Sequence, residues 1–306
     1  MNMIKQFLLL IFIFLLICSS YASEGSFKPV TITDALDIKS TITKKPERII
    51  SLAPSNTEIL FALGLGDKVV GVTRYDNYPE EVGKIQKIGG YTDFNSEVIA
   101  SLTPDLVLGI RGNPTELFDN LRRLGITVIA LNSKSLDEVI SDIKTLGKIT
   151  GAIEEADKVT EEIEKQLSEI KKQVKNLKPK RIYLGSLEPP YYTVGGKNFL
   201  DSNINFAGGK NIFSDSTTVW PVVSIEEILA RDPEVIIPGL SSPPFGSKDP
   251  KVILEKLREN PIWKHTTAVK EGNLFMIDED LLHRPGPRIA IGIKILSEKI
   301  HPELKK

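Results

Sequence analysis

GAIEEADKVTEEIEKQLSEIKKQVKNL, residues Gly151–Leu177, divides the chain into two stretches of similar pattern. Ile153, Ala156, Val159, Ile163, Leu167, Ile170, Val174 and Leu177 recur every three or four residues and draw one narrow apolar stripe on a charged rod. Nothing after Gly151 breaks the pattern until Pro179, whose ring clashes with the preceding turn. The spacing predicts a helix over residues 151–178, on the order of 39 Å long at about 1.5 Å per residue. The apolar repeat is not sustained through enough heptads with matching charged flanks for a coiled-coil seam, so the rod is expected to bridge two lobes.

Outward from the helix, both sides alternate strands with helices. On the amino-terminal side, RIISL from Arg48, Val69–Val72, Leu106–Ile110 and Thr127–Leu131 read as buried strands, with helices around 97–102, 115–124 and 136–146. Ser55-Asn56-Thr57-Glu58 has the Ser-x-x-Glu spacing of a capping box, which assigns Glu58 to a helix end. On the carboxyl side, 181–184 and 235–237 read as strands and 199–207 and 225–230 as helices. Residues Ser241–Asp249, rich in Pro, Gly and Ser, read as a mobile surface loop. The expected fold is α/β: two Rossmann-like lobes with parallel sheets, residues 48–150 and 179–306, joined by one long backbone helix. Ahead of them, residues 23–47 form an extension with a short strand pair.

The first residues place Lys5 before an apolar run from Phe7 to Cys18 and then small residues, the pattern of a secretory signal over 1–22. Ser20 and Ala22 suit signal peptidase, so Ser23 is expected to begin the mature chain; a lipid anchor on Cys18 is the competing reading, disfavoured by the bulk of Ile17. The protein is thus expected outside the cytoplasm, in the periplasm or on the outer face of the membrane. Basic and acidic residues number 39 and 40, and a net charge of −1 gives no electrostatic reason to expect nucleic acid as a partner. Cys18 is the sole cysteine, which leaves the exported chain without disulfides or thiolate metal sites.

A repeat locates the candidate site. Tyr91, Glu97 and Pro104 are matched by Trp220, Glu226 and Pro233 at one constant offset of 129 residues, within EVIASLTPDLVL and EEILARDPEVII. Two pseudo-symmetric lobes would set Tyr91 and Trp220 on facing walls of the groove between them, and Glu97 and Glu226 as an acidic pair, one per lobe. Ligands of open α/β sheets bind at the carboxyl ends of strands, where Tyr75, Tyr78, Tyr91, Phe94, Tyr191, Tyr192 and Trp220 cluster. In a chain only 7% aromatic, this enrichment points to stacking on a large flat or apolar ligand, with about half of these rings facing it. Arg284, on a stiff Pro-Gly-Pro turn four residues after Asp280, can reach the ligand rim, whereas Arg288 reads as structural.

RIISLAPSNTEILFALG, YDNYPEEV, PDLVLG, WPVVSIEEILARDPEVII and RPGPRIA together resemble the cobalamin and iron-chelate substrate-binding proteins of ABC importers, the vitamin B12-binding type above all. The resemblance spans Arg48–His301. It implies a helical-backbone periplasmic binding protein, monomeric when free, with aromatic contacts to a corrinoid from Tyr75, Tyr91 and Trp220 and a further aromatic contact near Tyr191. It also implies polar contacts from Asp280 and Arg284, and docking of Glu97 and Glu226 onto arginines of a dimeric permease. Carboxylates on two exposed faces can make charge-assisted bidentate contacts of that kind. No cofactor of the protein's own is implied; metal would arrive inside the ligand.

Other classes fit less well. No Gly-x-Ser-x-Gly elbow is present, and Val194-Gly195-Gly196-Lys197 lacks the full phosphate-loop spacing, so an enzyme is not expected. His265, His283 and His301 are scattered, which disfavours a receptor for a bare cation. Within the binding class, a ferric siderophore or haem is the alternative ligand. Such anions call for several cleft cations, and the candidates Arg74, Arg111 and Arg284 are offset by Asp76 and Asp280.

Overall fold

A computed structural model describes residues 27–239 and 243–305. The expected leader, with Cys18 and the expected cleavage point, lies outside the described residues, as do Ser241 and Ser242 of the expected mobile loop.

The chain opens with an antiparallel pair, β1 (Val30–Thr33) and β2 (Lys39–Ile42). Asp34 ties this pair to the first lobe: its carboxylate accepts from the Leu36 and Ile38 amides and from the Ala130 amide on the sheet edge. The first lobe then runs β3 (Ile49–Ser51), α1 (Pro54–Ala62), β4 (Val69–Gly71), α2 (Ser96–Ser101), β5 (Leu106–Ile110), α3 (Thr115–Arg123), β6 (Thr127–Leu131) and α4 (Leu136–Thr150). Its sheet is parallel, in the order β4-β3-β5-β6, with Ile49 beside Leu106 and Val107 beside Val128. Such strands are covered on both faces, which is why they read as unbroken apolar runs.

Gly151, at φ 77°, closes α4 in the left-handed conformation that glycine adopts without strain and turns the chain into α5 (Ile153–Val174). This is the bridging helix, 22 residues and about 33 Å long, shorter at each end than the pattern suggested. Its buried face runs through Ala156, Thr160, Ile163, Leu167 and Ile170, while Ile153 is exposed. Thr160 enters the apolar stripe because its hydroxyl donates to the Ala156 carbonyl one turn back, at 2.9 Å.

The second lobe comprises β7 (Lys180–Gly185), β8 (Tyr191–Tyr192), α6 (Phe199–Phe206), β9 (Gly209–Asn211), β10 (Val222–Val223), α7 (Ile225–Arg231), β11 (Val235–Pro238), α8 (Pro250–Glu259), α9 (Thr267–Glu271), α10 (Glu279–His283) and α11 (Ile289–Ile300). Its parallel sheet has the order β11-β7-β9, and β8 and β10 form a separate antiparallel ribbon. One apolar core passes from Ile49, Leu106 and Ile129 of the first sheet through Ile163, Leu167 and Ile170 to Ile182, Ile237 and Ile293. The helix is therefore packed into both lobes, against α4 on one side and α11 on the other. Of the expected surface loop, Pro243, Gly246, Lys248 and Asp249 are exposed, while Pro244 is buried and Phe245 packs on the second-lobe core with its amide donating to Glu188.

The repeat holds in three dimensions. Asn95 and Ser224, 129 residues apart, are the N-caps of α2 and α7, and each side chain accepts backbone N–H bonds of its helix. Thr103 and Asp232, at the same offset, end these helices with positive φ of 44° and 42°. Arg48 and Arg181 at the starts of β3 and β7 then reach the matching turns: Arg48 Nε donates to the Leu102 and Thr103 carbonyls, Arg181 Nε to the Asp232 carbonyl.

Candidate ligand-binding cleft

A cavity of about 410 Å³ lies between the lobes. The first lobe lines it with residues that follow the carboxyl ends of its strands: Ala53, Ser55 and Asn56 after β3, Ile110 at the end of β5, and Leu131, Asn132 and Ser133 at the end of β6. The second lobe contributes Asn198, Phe199 and Leu200 at the start of α6, Trp220 before β10, His283 at the end of α10, and Arg284 and Pro285 after it. Tyr91 and Trp220 thus line the same space from opposite lobes. Tyr75 lies beside Tyr91, with rings stacked at 5.1 Å and 15°. All three rings are exposed, Trp220 at 46%, although large apolar side chains ordinarily gain by burial.

The chain invests in holding Trp220 there. The loop that carries it crosses directly over Gly195 and Gly196, where a Cβ atom would fall 1.9 Å from the Thr218 carbonyl oxygen and 1.9 Å from that of Ser214. Two adjacent glycines are needed for this close approach. Gly195 N–H and Asn198 Nδ2 both donate to the Val219 carbonyl, one residue before the indole.

Glu58 does not cap a helix. Proline at position 54 starts α1 with Ala53 as a cap that offers no side-chain bond, and Glu58, one turn in, is buried at 3% exposure. Its carboxylate takes two guanidinium groups from the second lobe, Arg284 Nη1 at 2.9 Å and Arg288 at 2.6 and 2.8 Å. Arg288 also lies over the Tyr78 ring at 3.9 Å. Arg284 is further bound by Asp280 at 2.7 Å, Asn77 Oδ1 at 2.8 Å and the Tyr75 carbonyl at 3.3 Å. Asn77 Nδ2 completes the clasp by donating to Asp280. Two carboxylates and two guanidiniums balance, so Arg284 borders the cleft with its charge already compensated from both lobes.

The other residues singled out from the sequence fall in different places. Asp280 meets Arg284 in the clasp and does not itself line the cavity. Tyr191 is turned into the second-lobe core, edge-on to Trp263 at 6.2 Å, and away from the cavity lining. Burial and the nearby charge of Glu226 raise its phenol above the usual range. Glu97 and Glu226 are both exposed in the first turns of α2 and α7. Arg74 pairs with Asp93, and Arg111 donates to the Ala35 carbonyl in the amino-terminal extension.

Ser55, Asn56, Asn132 and His283 are among the cavity residues that the sequence did not single out as contacts. Asn132 directly follows β6, and Ser55 and Asn56 open the helix after β3, so walking past each strand's carboxyl end could have found these three. Among the described residues, no side-chain hydrogen bond occupies Ser55, Asn132 or the ring of His283, and Asn56 uses only its Nδ2, toward the Gly109 carbonyl. Burial holds the His283 imidazole below its usual pKa despite the nearby charges of Glu279 and Asp280. No cluster of three or more His, Cys, Asp or Glu is placed to hold a bare metal ion among the described residues.

Residues 49–281 match the periplasmic binding protein family. The chain belongs to that family. It is 35% identical over 288 residues to an uncharacterized ABC transporter substrate-binding lipoprotein of Bacillus subtilis, YvrC, covering 91% of this chain and 87% of the relative. A vitamin B12-binding protein of Yersinia pestis is 36% identical over 255 residues, 83% of this chain and 86% of that one. The crystal structure of a possible iron-binding periplasmic solute-binding protein from Staphylococcus epidermidis superposes with a TM-score of 0.73 at 30% identity, over 84% of this chain and 100% of that one. As a periplasmic binding protein, the chain is a substrate-binding component of an ABC importer and not an enzyme, and it works outside the cytoplasm with a permease as partner. No helix among the described residues is long and apolar enough to cross a membrane.

Proposed function

We propose that this protein captures a corrinoid of the vitamin B12 type in the interlobe cleft and delivers it to its permease, docking through Glu97 and Glu226. The observation that carries the ligand class is the neutrality of the lining. The cleft offers rings at Tyr91 and Trp220 and uncharged hydrogen-bonding groups at Ser55, Asn56 and Asn132, while the guanidinium of Arg284 is compensated by Glu58 and Asp280. A corrin ring presents a broad flat surface fringed with carboxamides, which such a lining can stack on and hydrogen-bond. Likeness to a vitamin B12-binding protein at 36% identity supports the same class.

A ferric siderophore or haem is the second reading, favoured by the likeness to the possible iron-binding protein. An anionic chelate would have to recruit the Arg284 guanidinium away from two carboxylates, and Arg74 is held by Asp93. A fluorescence titration with cyanocobalamin, corrected for ligand absorption, distinguishes the two. Trp263 is fully buried and Trp220 exposed, so saturable quenching is expected in the native protein and is expected to collapse in Trp220→Phe. A response to haem or a ferric siderophore alone moves the protein to the second reading.

Docking through the paired carboxylates rests on their exposure at matched positions of α2 and α7. Reversing both, Glu97→Lys with Glu226→Lys, is expected to abolish transport and leave ligand affinity in place, because complementary charge orients a partner. Equal loss of both properties refutes the docking role. Export rests on the leader; mass analysis of the mature chain is expected to find Ser23 at its start, and a diacylglyceryl Cys18 would instead make it a lipoprotein.

A further inference from the structure

His283 is a cavity-lining side chain that the proposed function leaves unused. It ends α10, and the backbone on either side of it is fixed: the Leu282 carbonyl accepts from the buried Asn203 at 3.0 Å, and Arg284 is locked into the interlobe clasp. Neither ring nitrogen has a hydrogen-bond partner among the described residues, and burial keeps the imidazole neutral, so one nitrogen carries an uncommitted lone pair at physiological pH. No carboxylate lines the cavity, and burial keeps the Tyr91 phenol protonated by raising its pKa. A metal atom carried into this cleft would therefore meet one competent protein donor. A single imidazole cannot assemble a site for an aqueous ion, but it can complete a metal already held by four equatorial nitrogens.

Tyr91 lines the cavity from the first lobe and Trp220 and His283 line it from the second, so a flat macrocycle seated between the lobes would have His283 within the same enclosure. We propose that His283 is an axial ligand for the metal of a corrinoid whose axial position holds only an exchangeable water, so that the cleft selects such corrinoids by coordination as well as by stacking. The inference rests on the corrinoid reading of the cleft. In the exchange, the cobalt–oxygen bond to water breaks and water leaves with its electron pair. The His283 nitrogen donates its lone pair to form the cobalt–nitrogen bond, the other ring nitrogen keeps its proton, and the cobalt oxidation state does not change.

The test compares aquacobinamide, which has exchangeable axial water, with dicyanocobinamide, in which cyanide blocks both axial positions, on the mature protein. The native protein is expected to shift the visible absorption of aquacobinamide toward that of a nitrogen-ligated corrinoid and to bind it about tenfold more tightly than the blocked form. In His283→Ala and His283→Phe, checked for folding by circular dichroism, the ratio is expected to fall to about one and the shift to vanish. An unshifted spectrum with equal affinities in the native protein overturns the coordination and leaves the corrinoid reading standing. Failure of the native protein to bind cyanocobalamin or either cobinamide overturns both.

Discussion

Replacing Glu58 with alanine would leave the Arg288 guanidinium without a carboxylate partner and would take one of two from Arg284. Breaking a buried ion pair by removing one partner costs about 3–5 kcal/mol, and both arginine side chains are largely buried. Glu58→Ala is therefore expected to lower the unfolding free energy in denaturant titrations by about 3 kcal/mol, and a loss of a few tenths would show that the clasp is decorative. His283 gives stability a pH slope of definite sign. Its folded pKa lies below the ordinary 6.5, so its contribution is complete above that value and is lost as pH falls through the folded pKa. Native protein is expected to lose stability over that acid range more steeply than His283→Gln, as urea titrations at a series of pH values would show. At this scale the sequence is least legible. The Ser-x-x-Glu spacing around Glu58 is genuine, but Pro54 starts the helix two residues early, and the arginines that claim the carboxylate come from the far end of the chain. Tyr191 packs on the second-lobe core while Trp220 is exposed, a difference that an aromatic residue type does not reveal.

The paired elements make the repeat a physical object. Asn95 and Ser224 satisfy orphan N–H groups of α2 and α7, the helices that present Glu97 and Glu226. Each N-cap change to alanine is expected to cost about 1 kcal/mol. With the sites in separate lobes, Asn95→Ala with Ser224→Ala is expected to cost about 2 kcal/mol in denaturation, and clear non-additivity would mean that the lobes communicate. Gly195→Ala drives a methyl group into the Thr218 carbonyl and must displace the loop bearing Trp220, so ligand affinity is expected to fall while Trp263 fluorescence is retained. Strands of five apolar residues and helices with a constant-offset partner were legible, because period and repeat survive without coordinates. The two-residue strands β8 and β10 and the short α9 and α10 are too brief to carry a period, and they include or border Trp220 and His283.

Across the whole molecule, the lobes are coupled twice: along α5, which shares one core with both, and through the clasp from Glu58 and Asn77 to Arg284, Arg288 and Asp280. The helix runs unbroken from Ile153 to Val174 without Gly or Pro that would bend to absorb large dihedral changes. Ligand capture is therefore expected to leave the small-angle scattering profile nearly unchanged, and a large domain rotation would refute this. Architecture and cleft were both readable from one apolar stripe and one repeat, since a bridging rod and two matched lobes leave a groove between them. The charge state of that groove was not readable, because it depends on which carboxylate meets which arginine. The central claim, capture of a neutral corrinoid between the lobes, is tested most directly by titration calorimetry of the mature protein against cyanocobalamin and, separately, ferric haem. Saturable one-to-one binding of cyanocobalamin, with haem weaker or silent, is the predicted result; haem binding with no heat from cyanocobalamin would contradict it.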